Sequence, residues 1–199
     1  ALATCAATLC MVLVHIRIDF MMYALDAIVN WLSLWRFKSN NESNVPLVIR
    51  AIVGRGWGQG PLHSQSLESL FSYIPGLKVV LPATAADCKG MLLSAIEDNN
   101  PVIFLEHRWV HYVKGQVPMG YAKTPLDGPA RLWEGDAATV VASSYMSLEA
   151  LHAAKVLANQ GCSIDLFDLR VARPLFLDAV FESVSRTGRL LVVDTGWQT

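Results

Sequence analysis

The chain has 199 residues, of which 53% are hydrophobic and 17% charged, and its sixteen Lys and Arg nearly balance its seventeen Asp and Glu. Because an average protein has about 25% charged residues, this composition excludes a disordered chain, a coiled coil and a collagen-like fibre. A formal net charge of −1 leaves no surplus of basic residues for a phosphate backbone, so nucleic acid is not an expected partner. The mean hydropathy of +0.35 predicts that another chain covers part of the apolar surface.

The four cysteines, Cys5, Cys10, Cys88 and Cys162, are scattered and form no C-x-x-C pair, which is typical of reduced thiols in a reducing compartment. The apolar run over residues 1–14 is shorter than the roughly 20 residues that a membrane-spanning helix needs. No basic residue precedes it, as one would in a signal peptide. We therefore expect no membrane partner and interpret this run as a small-residue helix followed by a strand.

Strands and helices alternate in the first half of the sequence. A β-branched strand is predicted over residues 11–18, and the helical spacing of apolar residues from Phe20 to Trp35 predicts an amphipathic helix with Asp19 as its N-cap. The pattern continues with strands at 45–51, 77–81 and 101–106, a helical segment that begins at His63 and runs to residue 74, and a helix at 85–97 capped by Thr84. This alternation favours a parallel sheet covered by helices on both faces.

Periodicity is lost over residues 107–135, where Pro and Gly accumulate, which indicates a linker or a crossing between domains. The strand–helix plan then returns with strands at 138–142, 163–169 and 189–194 and helices at 148–160 and 178–187. We predict a second, shorter α/β unit in this region.

A glycine-rich loop follows the strand at 45–51, with glycines at Gly54, Gly56, Gly58 and Gly60. This spacing matches neither the dinucleotide-binding motif nor the P-loop, so a plain turn and a close approach to a ligand both stay open. His63 comes directly after the loop, at the edge where open parallel sheets place ligands. An imidazole there can transfer a proton, or it can simply bond the backbone at a helix start.

The remaining candidate groups are weaker. His107 and His111 lie in the aperiodic crossing, and we expect surface or interface roles for both rather than catalysis. Ser64 is next to His63, but neighbours along a chain rarely face each other and the G-x-S-x-G motif is absent, so a serine hydrolase is excluded.

The order of residues resembles one family over nearly the whole chain, the β subunit of the thiamine-diphosphate-dependent 2-oxo acid dehydrogenases. This is the E1 component of pyruvate, branched-chain and acetoin dehydrogenase complexes, within the transketolase-like group. The stretches that carry the resemblance are DFMMYALDAIVN (19–30), VPLVIRA (45–51), HSQS (63–66), PGLKVVLP (75–82), KGMLLSAIEDNNPVIFLEH (89–107), ATVVASSYMSLEAL (138–151), IDLFDLR (164–170) and TGRLLVVDTGW (187–197).

The resemblance implies an α/β pyrimidine-binding domain over residues 1–123 and part of a C-terminal transketolase-type α/β domain over residues 124–199. It implies oxidative decarboxylation of a 2-oxo acid with acyl transfer to a lipoyl carrier. The expected partners are an E1 α subunit in an α2β2 heterotetramer, which would hold the diphosphate and Mg²⁺, and a lipoyl-bearing E2 acyltransferase. The expected compartment is the bacterial cytoplasm or, in a eukaryote, the mitochondrial matrix or a plastid.

The resemblance also assigns site residues. Phe20 matches the aromatic residue that lies against the pyrimidine ring of thiamine diphosphate, and His63 matches the catalytic histidine. A K⁺ site built largely from carbonyl oxygens maps onto Leu47, Ala95, Ile96, Asp98 and Asn100. The competing interpretations are core packing for Phe20 and an ordinary helix end for residues 97–101.

The sequence departs from the family in ways that keep alternatives open. The glutamate that bonds the pyrimidine lies, in the family, just before the small-residue helix and has no counterpart here, and residues 10–13 lack the expected Gly-x-Arg-Pro-like turn. We expect the sequence to be an internal stretch of a longer subunit. One alternative is a fragment of a transketolase or deoxyxylulose-phosphate synthase. Such a sugar-phosphate enzyme would want extra Arg or His phosphate ligands near the loop, and Arg55 alone gives thin support. The other is a non-catalytic, degenerate subunit that keeps the fold.

Overall fold

Two sheets organise the chain, as expected for the α/β class. The computed structural model describes residues 14–56 and 58–196, and in that part of the chain the strands are β1 (Val14–Arg17), β2 (Val48–Val53), β3 (Lys78–Val80), β4 (Val102–His107), β5 (Ala130–Trp133), β6 (Thr139–Ala142), β7 (Asp165–Asp168), β8 (Val171–Arg173) and β9 (Leu190–Val193). The first sheet has the order β1-β2-β4-β3-β8 and the second the order β5-β7-β6-β9. Neighbouring strands are parallel except in the β3–β8 and β5–β7 pairs.

Helices connect and flank the strands. Within the described residues the α-helices are α1 (Ile18–Met21), α2 (Trp35–Lys38), α3 (Glu68–Tyr73), α4 (Ala85–Ile96), α5 (Tyr145–Ala158) and α6 (Asp178–Thr187). Short 3₁₀ turns cover Met22–Ala24, Leu62–Ser64 and Arg108–Tyr112, and a π-helical turn covers Ala27–Leu32. None of the helices in the described part of the chain is long and apolar enough to cross a bilayer.

The helix predicted from Phe20 to Trp35 is helical throughout much of its length but interrupted by the 3₁₀ and π turns. Its apolar spacing is still used, because Met21 and Ile28 are buried in the core. The N-cap prediction was wrong: Arg17 occupies that position, and the side chain of Asp19 lies in the first turn, buried rather than bonded to the helix backbone. The predicted cap at Thr84 is confirmed, since its side chain accepts the N–H of Asp87.

The core of the first unit lies on both faces of its sheet. All six residues of β4 are buried, as expected for a central strand of a parallel sheet. Ile103 and Leu105 pack into one apolar cluster, while Val102 and Phe104 pack into the other, against α4. This alternation covers the two faces of the strand and holds its carboxyl end in a fixed position.

The second sheet also carries apolar packing on both of its faces. Val140 and Leu166 pack on the side of α5, and Val141 and Phe167 pack on the side of α6. The strand β5 lies inside the stretch that the sequence predicted to be a linker, so that prediction was wrong for Ala130–Trp133. It is a short antiparallel edge strand, with three half-buried residues and one exposed, and therefore lacks the apolar run of a central strand.

One strand from the second half of the chain completes the first sheet. β8 pairs antiparallel with β3, with Val79 opposite Arg173 and Val80 opposite Val171. Arg170, just before β8, forms an ion pair with Asp87 of α4 at 3.0 Å. The first sheet thus contains residues from both predicted ranges, 1–123 and 124–199, whose boundary stays a prediction.

Candidate functional site

His63 meets Asp19 at the carboxyl ends of two neighbouring strands. Asp19 follows β1 directly, and His63 lies in the 3₁₀ turn that β2 reaches through the glycine-rich loop. Because β1 and β2 are parallel, these ends share one sheet edge. Nδ1 of His63 lies 2.6 Å from Oδ2 of Asp19, whose side chain is only 5% exposed, against 33% for His63. One edge of the imidazole is therefore tied to a buried carboxylate.

Phe20 lies beside this pair. Its ring centroid is 5.3 Å from that of His63, with 38° between the ring planes. The side chain is 44% exposed, so the ring is not a core residue, in contrast to Met21 next to it, which is buried. An exposed aromatic face and a half-buried imidazole thus stand together at the sheet edge. The roles that the resemblance implies for these two residues stay predictions.

Arg17, which sequence analysis did not single out, joins the loop to the first strand. It is the last residue of β1, and its Nε lies 3.4 Å from Oδ1 of Asp19. The same guanidinium donates to the side-chain oxygen of Gln59 and to the backbone carbonyl of His63. The signal that could have found it is the one arginine in the mostly apolar strand MVLVHIRI, because a cation that is largely buried requires partners.

Gly54 and His107 shape the base of the glycine-rich loop. Gly54 has φ +79°, and a Cβ at this position would collide with the imidazole of His107. The prediction of a surface role for His107 was wrong, because its side chain is buried at the end of β4, where Nδ1 accepts the N–H of Trp109 at 3.3 Å. Burial, assisted by the charge of Arg55, lowers the pKa of His107 to about 4, so the ring is neutral at neutral pH. His111 is exposed, as expected.

A cavity of about 540 Å³ adjoins the His63 turn on the side of the second unit. Its lining residues are Arg55, Ser64, Ser66, His107, Trp109, Tyr145, Met146, Glu149 and Thr195. The rings of His107 and Tyr145 stack at 5.4 Å, Trp109 meets Tyr145 edge-on at 4.9 Å, and the guanidinium of Arg55 lies over Trp109 at 4.9 Å. His63 and Phe20 are outside this lining, so the cavity is a neighbour of the site rather than the site itself.

The residues assigned to a K⁺ site come together at the opposite end of the first sheet. Leu47 precedes β2, Ala95 and Ile96 end α4, and Asp98 and Asn100 lie in the loop before β4.

Polar groups in this corner already have partners. The carbonyl of Leu47 accepts the N–H of Val102 at 2.9 Å. The carboxylate of Asp98 pairs with Lys78 and accepts from Asn100, whose side-chain oxygen accepts from Arg36 at 2.5 Å. Lys78 and Arg36 thus already bond the side-chain oxygens of Asp98 and Asn100. A K⁺ ion here would depend on the free lone pairs of backbone carbonyls alone.

A buried acid lies at the junction between the two units. Asp168, the last residue of β7, is fully buried, and burial raises its pKa to about 7. Its Oδ1 accepts the hydroxyl of Ser147 at 2.7 Å, while Oδ2 has no hydrogen-bond partner in the part of the chain that the structure describes.

Comparison with protein-family models finds two matching ranges. The model described as "Transketolase, pyrimidine binding domain" matches residues 1–110. The model described as "Transketolase, C-terminal domain" matches residues 130–199. The first match alone covers more than half of the chain.

Similar curated proteins are β subunits of oxidoreductases. The chain is 44% identical over 177 residues to the β subunit of acetoin:2,6-dichlorophenolindophenol oxidoreductase from Cupriavidus necator, covering 89% of the chain and 52% of that protein. It is 38% identical over 179 residues to the pyruvate dehydrogenase E1 β subunit of Rickettsia bellii, covering 90% and 55%. It is 39% identical over 176 residues to the 2-oxoisovalerate dehydrogenase β subunit of Bacillus subtilis, covering 88% and 54%. The chain therefore spans about half the length of these relatives.

Solved structures share the fold at low identity. A split-gene transketolase described as an inactive β4 tetramer has a TM-score of 0.71 at 23% identity, over 92% of this chain and 57% of that one. A transketolase mutant of Pichia stipitis with a bound sugar phosphate has a TM-score of 0.64 at 21% identity, over 93% and 27%.

Proposed function

The chain belongs to the transketolase-type family of pyrimidine-binding domains, and from this we propose that it is the β subunit of a 2-oxo acid dehydrogenase E1 component. The observation that carries the proposal is the exposed Phe20 ring beside His63, whose imidazole is tied to Asp19 at the carboxyl edge of a parallel sheet. The names of relatives at 38–44% identity support it, since they are β subunits that act on pyruvate, 2-oxoisovalerate or acetoin.

Thiamine diphosphate is the cofactor of the proposal, and the residues at this edge fit one part of it. A flat pyrimidine ring can stack on the exposed face of Phe20, because aromatic rings favour offset stacking. When bound, the cofactor supplies the electron sink for breaking the bond to the carboxyl group of a 2-oxo acid. His63 can give or take a proton through Nε2, the ring nitrogen that Asp19 leaves free.

The remaining parts of the site belong to other chains in the proposal. The sequence contains no G-D-G…N motif, so we assign the diphosphate and Mg²⁺ to an α partner in an α2β2 heterotetramer. A lipoyl-bearing E2 would receive the acyl group. The place of action would be the bacterial cytoplasm, the mitochondrial matrix or a plastid. The proposal also includes a structural K⁺, bound by backbone carbonyls at the corner of Leu47 and Asn100.

Turnover of the assembled enzyme tests the proposal. The protein as its gene encodes it, co-expressed with its α partner, is expected to reduce 2,6-dichlorophenolindophenol when pyruvate, 2-oxoisovalerate or acetoin is supplied. His63→Ala is expected to lower kcat at least tenfold with cofactor binding largely intact, because acid–base catalysis typically contributes ~10²–10⁴-fold.

A matched histidine variant provides the control. His152 is exposed on α5, far along the chain from the site, and His152→Ala should leave turnover unchanged. Unchanged turnover in His63→Ala would remove His63 from the mechanism. No turnover with any of the three substrates would favour the degenerate, non-catalytic subunit.

A further inference from the structure

We propose that Asp19 is a positioning residue that keeps the proton of neutral His63 on Nδ1 and leaves Nε2 as the proton acceptor. This assignment rests on the proposed function, since it gives His63 a role there. Its first support is the distance of 2.6 Å between Oδ2 of Asp19 and Nδ1 of His63. An ionised carboxylate has no hydrogen to donate, so Nδ1 must carry the hydrogen of this bond.

The second support is the way in which Asp19 itself is held. Its Oδ1 faces Arg17 at 3.4 Å, so its two oxygens serve two different partners. The guanidinium of Arg17 offers only N–H donors, so the atom of residue 19 that faces it must be an acceptor oxygen. The same guanidinium bonds the backbone carbonyl of His63. The side chain and the backbone of His63 are thus both held by residues at the end of β1.

The third support is the absence of another role for the Asp19 carboxylate in the described residues. Among the described residues its hydrogen bonds go to Arg17 and His63, so it does not cap α1. A buried carboxylate is costly unless it is paired and hydrogen-bonded. Arg17 and His63 are the partners that offset this cost, so the local geometry serves the histidine rather than the helix.

The proton balance of the step is simple. Nε2 accepts a proton from the reacting group, and the ring becomes an imidazolium whose positive charge faces the Asp19 carboxylate. Return of that proton from Nε2 restores the neutral ring with the hydrogen on Nδ1. Without a fixed tautomer, part of the population would carry its hydrogen on Nε2 and could not accept a proton there.

The tautomer of His63 is the direct test, measured by ¹⁵N NMR of the imidazole in the full chain without cofactor, with His63→Ala to assign the signals. At pH 8, where an ordinary imidazole is neutral, the parent protein is expected to carry the hydrogen on Nδ1. Asp19→Asn should reverse this. Arg17 must still face an oxygen, so the amide NH₂ of Asn would donate to Nδ1 and move the ring hydrogen to Nε2. Asp26→Asn, at an exposed position in the following helical segment, is the matched control and should leave the signals unchanged.

Kinetics of the assembled enzyme give the second readout. Asp19→Asn is expected to lower kcat at least tenfold with little change in KM. It should add nothing in a His63→Ala background, because a residue that acts through another loses its effect when that residue is gone.

The two readouts separate the failure of this inference from failure of the proposed function. A parent spectrum with the hydrogen on Nε2 overturns the inference even if Asp19→Asn does not fold, and so does a tautomer unchanged by Asp19→Asn. Additive kinetic losses in the double variant would also overturn it. If no substrate is turned over, the proposed function fails while the spectrum still decides the tautomer.

Discussion

Gly54 is the residue at which the loop, the first sheet and a buried imidazole meet. Its backbone N–H donates to the carbonyl of Gln65 at 2.9 Å, which closes the loop, and its φ of +79° is one that residues with a Cβ avoid. The missing side chain also leaves room for His107. Two separate physical reasons therefore require glycine here.

Gly54→Ala is predicted to lower the free energy of unfolding by about 2–6 kcal/mol, the combined cost of a strained backbone and an overpacked contact. Gly58→Ala is the matched control, since φ is +61° there and, apart from its chain neighbours, no described residue brings an atom within 4 Å of an added Cβ. It should cost only the backbone strain of about 1–3 kcal/mol. Urea unfolding of both variants measures the difference. Equal losses of unfolding free energy would show that the His107 side chain moves to make room for the added methyl group.

The site could be predicted in part from its residues. His63 and Phe20 were predicted as site residues because each lies in a stretch similar to one family, and the structure places them side by side. Their roles stay predictions. The bonds of Asp19 and Arg17 to the His63 turn could not be predicted, because 44 and 46 residues separate the partners and no local pattern marks such pairs. The burial of His107 was missed because its neighbours on the aperiodic side resemble a surface loop.

At the scale of elements, the strands that pair only in parallel were predictable, and the two antiparallel edge strands were not. β2 and β4 are apolar runs in the sequence, and burial on both faces requires such runs. β5 and β8 have four and three residues, lie at sheet edges and pair antiparallel, so their sequences carry little apolar pattern. Their pairing depends on the tertiary arrangement rather than on local preference.

The end of β7 makes the stability of the second unit depend on pH. Asp168 has a folded-state pKa of about 7, above its ordinary 3.8, because it is buried. The folded state therefore binds more protons than the unfolded state between these values. It follows that the contribution of this carboxyl to stability falls as pH rises from 3.8 to about 7 and is level above that.

The free energy of unfolding of Asp168→Asn, taken relative to that of the parent protein, is predicted to increase when the pH is raised from 5 to 8. Asn cannot ionise, and its side-chain oxygen can still accept the hydroxyl of Ser147. His107, with a lowered pKa, stabilises the folded state as pH rises from about 4 to 6.5, but both proteins contain it and its effect cancels. Urea unfolding at both pH values is the measurement, and a difference between the proteins that is independent of pH would contradict the prediction.

At the scale of the whole molecule, the 199-residue chain is predicted not to bind thiamine diphosphate in the micromolar range by itself. Stacking on Phe20 contributes about 0.5–1.5 kcal/mol beyond area burial, whereas a micromolar dissociation constant needs about 8 kcal/mol. Across the described residues, no group of three or more His, Cys, Asp or Glu is placed to hold a metal ion that could bridge to a diphosphate.

Calorimetric titration of the chain with thiamine diphosphate and Mg²⁺ measures this directly. No saturation is expected in the micromolar range, and the same titration with the α partner present is the positive control. A micromolar dissociation constant for the chain alone would reveal a phosphate site within it, and the Gly54–Gly60 loop would be the first place to search.

The pairing of β8 with β3 also restricts how this protein can exchange parts with its relatives. A chimera joined near residue 123 would receive a foreign β8, and that strand would have to match Val79 and Val80 of this chain in register. It would also need an arginine placed like Arg170 to meet Asp87. A recombination point after Arg173 keeps the whole first sheet with one parent. That point lies about fifty residues after residue 123, but it divides the second sheet, because β9 pairs with β6. Both sheets therefore stay intact only when the strands β1 to β9 come from one parent.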